Sequence, residues 1–164
     1  MARGCDVAHT QAELSPRPVS ASRVSSCHLV MPNDLNFLGT IFGGKVMRYI
    51  DTTAAIAAMR HSRRVCVTAS LDRLDFHVPI EGGHVIMLTA SVNCAFRTSM
   101  EVGVRVERED PLTGEIAHTA SAYLTFVAID ASGRSVEVPP LLVETDEERR
   151  RYDEARARRQ VRKR

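Results

Sequence analysis

Four groups of residues in this chain have the types and spacing to carry chemistry. Asp51 stands among Ile50, Ala54, Ala57 and Ala58, where a carboxylate left unpaired would cost several kcal/mol if fully buried. It is therefore either paired at a subunit boundary or placed as a working acid or base. Gly43-Gly44 stands at the start of a helical pattern. Exposed N–H groups there could hold an anion or an oxyanion, and glycine permits close approach of a ligand; a tight entry turn is the plainer reading. Asn36 ends a Pro-Asn-Asp loop, a position that usually caps or turns the chain. Arg97-Thr98-Ser99 joins a cation to two hydroxyls, a set that suits a phosphate or a solvated strand entrance.

Other chemistries lack their residues. No Gly-x-Ser-x-Gly elbow, Walker loop or dinucleotide-binding glycine pattern occurs. The six histidines show no metal-ligand spacing, and Cys5, Cys27, Cys66 and Cys94 lie far apart without a CxxC pair. These cysteines read as reduced thiols, so neither metal, disulfide framework nor cofactor is expected.

The elements that must position these groups follow from periodicity. Val46, Met47, Ile50, Thr53, Ala54, Ala57 and Ala58 recur at spacings of three and four, which predicts a helix over residues 45–60. It is apolar on nearly all sides, as a buried helix is. Strands are predicted over 24–31, 65–71, 75–80, 84–94, 99–108 and 117–129. Among these, 99–108 alternates Met100, Val102, Val104 and Val106 with Glu101, Gly103, Arg105 and Glu107. One long helix followed by antiparallel strands is an α+β pattern. A curved sheet could wrap such a helix, and its uncovered edges and face favour a dimer.

The chain of 164 residues has room for one domain with extensions. Residues 1–22, with Pro16 and Pro18, read as a disordered N-terminal arm; 23–132 form the domain; 133–164 form a Pro-containing linker and basic tail. From residue 146 onward, nine basic residues face five acidic ones, whereas the preceding 145 residues carry 13 basic and 15 acidic. No apolar run is long enough to span a bilayer, and no secretory signal is visible, so a cytoplasmic protein without membrane insertion is expected. The absence of Trp and the scarcity of aromatic residues argue against a nucleic-acid partner.

Taken together, Asn33-x-x-Asn36-x-x-Gly39-x-Ile41-Phe42-Gly43-Gly44-Lys45-Val46-Met47-x-x-Ile50-Asp51 is more specific than its parts. With Val67-Thr68-Ala69-Ser70, Asp75-Phe76, Arg97-Thr98-Ser99-Met100-Glu101 and the run from Leu124 to Asp130, it resembles the cytosolic acyl-CoA thioesterases of hotdog fold. The resemblance implies one central helix wrapped by a curved antiparallel sheet, in dimers commonly stacked as trimers of dimers with sites at the dimer seam. It implies that Asp51 is the catalytic carboxylate and that Asn36, supplied across the dimer, is a second catalytic residue. The Gly44 amide, with Gly43 beside it, would polarise the thioester carbonyl, and Thr68, Ser70, Arg97, Thr98 and Ser99 would bind CoA. The substrate would be acyl-CoA and the products free acid and CoA. A non-catalytic acyl-CoA sensor of the same fold is the alternative. A hotdog dehydratase would want a histidine on the helix, and none lies between Lys45 and Arg60. Beside a CoA site the basic tail would attract the nucleotide's phosphates, or would simply be a solvated, partly disordered end.

Overall fold

A computed structural model of the chain describes residues 14–72 and 74–162. Its centre is helix α1, Gly43–Ser62, two residues longer at each end than the periodicity predicts. Arg63 closes it in the left-handed region at φ 57°, its N–H donating to the Met59 carbonyl at 2.8 Å. Val46, Ile50, Thr53, Ala54, Ala57 and Ala58 form the buried face. The helix is not covered all round within one chain: Met47, Asp51, Ile56 and Met59 form an open face.

Around α1 curls a five-stranded antiparallel sheet of β2 (Val24–Leu29), β3 (Val65–Leu71), β4 (Val85–Ala95), β5 (Ser99–Glu109) and β6 (Ile116–Ile129). Its strand order is β2-β4-β5-β6-β3, which leaves β2 and β3 at the edges. The inward residues of β5 and β6, from Met100 to Val106 and from Ala120 to Ala128, alternate along each strand and pack on the buried face of α1. Residues 75–80 form no strand. Pro79 has no N–H to give a ladder, and the segment is held instead by single bonds, from the His77 N–H to the Thr119 carbonyl (2.9 Å) and from the Ile41 N–H to the Ile80 carbonyl (2.7 Å).

Both extensions pack against this unit. Strand β1 (Arg17–Pro18) pairs in parallel with β7 (Leu141–Leu142), and a short 3-10 turn, Val19–Ser22, follows β1. Residues 17–22 are thus structured where a disordered arm is predicted; residues 1–13 lie outside the described residues. The reason is visible at Ser22, which is fully buried. Its Oγ donates to the Val19 carbonyl and accepts from the Val92 N–H, beside the bulge in β4 between Val92 and Cys94.

The basic tail is helix α2, Asp146–Arg162. Its start is a reciprocal cap: Thr145 Oγ1 accepts from the Glu148 N–H, and the Glu148 carboxylate accepts from the Thr145 and Glu144 N–H groups. The helix lies on the outer face of the sheet, where Glu101 of β5 is fully buried. Arg158 makes a two-point contact with that carboxylate at 2.7 and 3.2 Å, and Arg162 bridges it to Asp72. Gly103 leaves room for Asn93, whose amide donates to Glu101 at 3.3 Å; a Cβ there would lie 2.6 Å from Asn93 Nδ2. Arg158 and Arg162 are therefore counter-charges for a buried carboxylate, neither a solvated end nor a free phosphate lure. Lys163 and Arg164 lie outside the described residues.

His61 ties both extensions to the end of α1. Its Nε2 donates to the Pro139 carbonyl at 2.8 Å, Arg17 donates to the His61 carbonyl at 2.9 Å, and its Nδ1 is buried without a partner among the described residues. Burial holds its pKa below the ordinary imidazole value; the Pro139 bond opposes this, and the nearby Arg17 charge adds to it. The folded state thus keeps the ring neutral, whereas the unfolded chain takes up a proton below about pH 6.5. This contribution is complete above the unfolded pKa and is lost as pH falls through the folded one. Urea midpoints measured from about pH 8 down to 5 are expected to decline below about 6.5, with a shallower decline in His61→Gln.

Candidate functional site

The loop before α1 is built to hold the helix start open. Phe42 caps the helix, its carbonyl accepting from the Lys45 and Val46 N–H groups, while its own N–H donates to the Asp34 carbonyl at 2.8 Å. The N–H groups of Gly43 and Gly44 donate to no described residue and are exposed at the positive end of the helix. Neither glycine has a positive φ, and a Cβ on Gly43 would meet nothing within 4 Å. Backbone strain therefore does not demand glycine at position 43; what it leaves is clear space above an amide.

Asp34, almost fully buried, pins the loop to the helix. It accepts from Lys45 Nζ at 2.8 Å and from the Met31 N–H at 3.0 Å. The Lys45 bond holds its carboxyl below the usual aspartate range, and the same pairing raises Lys45. Asn36 folds over its own loop, accepting from the Leu38 N–H at 2.9 Å and donating from Nδ2 to Thr40 Oγ1 at 2.9 Å. Gly39, at φ 75°, makes the turn possible, and Phe37 and Leu38 stand exposed at its tip. Asp34 and Lys45 are not legible as site residues in the sequence, since an acid in a loop and a lysine after two glycines carry no signal until the loop is folded.

Asp51 lies on the open face of α1, eight residues or about 12 Å along the axis from Gly43. Its Oδ1 accepts from Thr68 Oγ1 at 2.6 Å. Thr68 is on the edge strand β3, whose other side pairs with no described strand. On the same side as the carboxylate lie exposed Met47 and Ile56 of the helix and Leu71 of β3, while exposed Val65 and Val67 of β3 lie on the other face of the sheet edge, so apolar residues flank the unpaired edge on both sides.

The structure joins only some of the expected site residues. A bulge in β3 sets Thr68 opposite Phe126, on the side facing α1, but Ser70 opposite Thr125, on the other side of the sheet in the row that includes Glu101. Arg97, Thr98 and Ser99 form and follow the β4–β5 turn, which closes through the Phe96 N–H and the Ser99 carbonyl at 2.7 Å. The carbonyls of Arg97 and Thr98 are taken by Val138 and Ala128, and the Arg97 side chain is exposed with a 4.0 Å contact to Glu137. No hydrogen bond or ion pair among the described residues links Asn36 to Asp51. Beside Gly43 a cavity of ≈130 Å³ opens between the helix start and residues 76–80. Among the described residues no three His, Cys, Asp or Glu side chains gather as metal ligands.

Comparison with known proteins places this arrangement. Residues 38–115 match the thioesterase superfamily. The chain is 46% identical over 127 residues to an uncharacterized acyl-CoA thioester hydrolase of Bacillus subtilis, covering 77% of this chain and 74% of that one. It is 36% identical over 159 residues to the human cytosolic acyl coenzyme A thioester hydrolase, covering 95% of this chain but only 42% of the human protein. Among solved structures, an apo-hexameric acyl-CoA thioesterase superposes with a TM-score of 0.88 at 46% identity, covering 91% of this chain and 96% of that one. An acyl-CoA hydrolase of Staphylococcus aureus, solved with butyryl coenzyme A, coenzyme A and coenzyme A disulfide, gives 0.84 at 39% identity, with 90% of each chain covered. The helix wrapped by a curved antiparallel sheet is the hotdog fold, and the chain belongs to the acyl-CoA thioester hydrolases of the thioesterase superfamily.

Proposed function

We propose that the protein hydrolyses the thioester of fatty acyl-CoA to free acid and CoA, at sites completed between two copies of the chain. The observation that carries this reading is the exposed Asp51 carboxylate, held by Thr68 on the open face of α1 beside exposed Met47 and beyond reach of its own chain's glycine amides. One thioester carbonyl cannot meet both groups of a single chain across about 12 Å along the helix. A second copy laid on the open face of α1 and the free edge of β3 would cover the apolar surface. It would bring Asn36, Gly43 and Gly44 of the partner subunit to Asp51. The hexameric assembly of a solved relative supports further stacking of such dimers into a trimer.

In this mechanism Thr68 occupies Asp51 Oδ1 and leaves Oδ2 to take a proton from water, or Asp51 itself attacks. In the first route the water oxygen bonds to the carbonyl carbon and the carbonyl oxygen becomes an oxyanion at the Gly44 amide, with Gly43 beside it. Collapse breaks the C–S bond, and the departing thiolate takes up the proton that Asp51 received. Asn36 orients the water or the carbonyl. Arg97, with Thr98 and Ser99, meets the CoA phosphates. Thr68 flanks the reacting end, and Ser70, on the far side of β3, contributes to CoA binding only around the strand edge. The Staphylococcus aureus relative's complex with coenzyme A supports this ligand class.

Free-thiol release from acyl-CoA tests the activity; a sensor of the same fold would bind acyl-CoA and release none. Asp51→Asn is expected to abolish turnover while CoA binding and oligomer size stay unchanged, and turnover surviving that change would overturn the assignment. Gly43→Ala separates the site from the fold. The added methyl meets open space, so stability by urea titration should hold or rise by about 0.5–1 kcal/mol. Displacing the carbonyl from its donors should cost about 10²-fold in kcat.

A further inference from the structure

Thr119 is fully buried, and its hydroxyl has no hydrogen-bond partner among the described residues. Buried hydroxyls are nearly always partnered, so this one calls for a physical reason. The register of β6 against β5 supplies part of it. Val106 pairs with Ala120 and Glu107 with His118, so Thr119 is the extra residue of a bulge. A bulge re-aims a side chain out of the strand's alternation. The Thr119 carbonyl is taken by the His77 N–H at 2.9 Å, which fixes the residue against the segment that replaces the expected strand.

Thr119 lines the cavity beside Gly43, with walls from Ile41, Val46, Val78, Pro79 and Ile80. The space of ≈130 Å³ corresponds to about four water volumes at ≈30 Å³ each, the size of a short acyl chain. Its rim holds an amide that donates to no described residue, and among its lining residues only Thr40 and Thr119 have polar side chains. The Thr40 hydroxyl is already bonded to Asn36.

We infer that this cavity receives the acyl group and that Thr119 selects short acyl chains bearing an oxygen, to which its hydroxyl donates or from which it accepts. The inference rests on the thioesterase reading, since it specifies which acyl groups that site takes. A pocket whose buried hydroxyl must be matched discriminates strongly against a chain that leaves it unpaired. Hydroxyacyl and ketoacyl chains both offer the required oxygen, because a threonine hydroxyl is both donor and acceptor.

The test is kcat/KM of the full chain for butyryl-CoA, 3-hydroxybutyryl-CoA and acetoacetyl-CoA. At least one oxygenated substrate should exceed butyryl-CoA by about tenfold or more. Thr119→Val, which keeps the shape and removes the hydroxyl, should bring that ratio close to unity, and Thr119→Ser should retain it. A wild-type ratio at or below unity for both oxygenated substrates overturns the selectivity, whether or not the valine variant folds. A preference that survives in Thr119→Val overturns the role of Thr119. Hydrolysis of longer acyl-CoAs but of none of these three, or equal hydrolysis of all three, would overturn only this inference, whereas no free-thiol release from any acyl-CoA between C2 and C18 would bring down the thioesterase reading itself.

Discussion

One helix that is apolar on nearly every side governs the rest of the structure. The curved sheet covers the face of α1 bearing Val46, Ile50, Ala54 and Ala57, and no single sheet can close on the remaining side. That side carries Met47, Asp51, Ile56 and Met59, continuous with the unpaired edge of β3. Burial of this surface is favourable by roughly 25 cal/mol per Å² of apolar area, so an association there is driven by the same effect that folds the chain. Asp51 is polar in that surface, as are exposed Arg48 and Thr52. Thr68 partners one oxygen, and the covering copy would take the carboxylate out of bulk water, where electrostatic interactions strengthen. The fold's incompleteness and the site's chemistry thus share one cause.

The outer face of the sheet solves a different problem. Glu101 points away from α1 by strand alternation, yet it is buried because α2 lies over it. Arg158, Arg162 and Asn93 supply its hydrogen bonds, Arg158 stacks on Tyr123 at 3.7 Å, and Arg159 stacks on Phe96 at 3.7 Å. The tail therefore braces the β4–β5 turn that carries Arg97 to Ser99. Beneath the tail, burial pushes the Cys94 thiol up to about 11, well away from the reactive range.

Much of this was legible in the sequence because α1 and the long strands are strongly periodic. Helix α1 runs two residues beyond the predicted span at each end, and strands β3 to β6 end within one residue of theirs. The local signals misled where tertiary contacts decide. Residues 17–22 look polar and Pro-broken, but Ser22 supplies the bond that Val92 needs beside a bulge. Residues 75–80 carry strand-forming types, yet Pro79 and the turn around Gly82 leave the segment on single bonds. The candidate residues Asp51, Gly43, Gly44 and Asn36 stand out by type, while the separation of Ser70 from Thr68 depends on a bulge at Ala69 that no periodicity reveals.

In the proposed dimer each site draws Asp51 from one chain and Asn36 from another. Complementation in mixed oligomers tests it most directly. Asp51→Asn chains and Asn36→Ala chains, each inactive alone, are unfolded, mixed in equal amounts and refolded together, and free-thiol release is measured. Random pairing makes half of the dimers mixed, each with one intact site of two, so about a quarter of wild-type activity is expected to return. Mixed oligomers that form and yet recover nothing would contradict it.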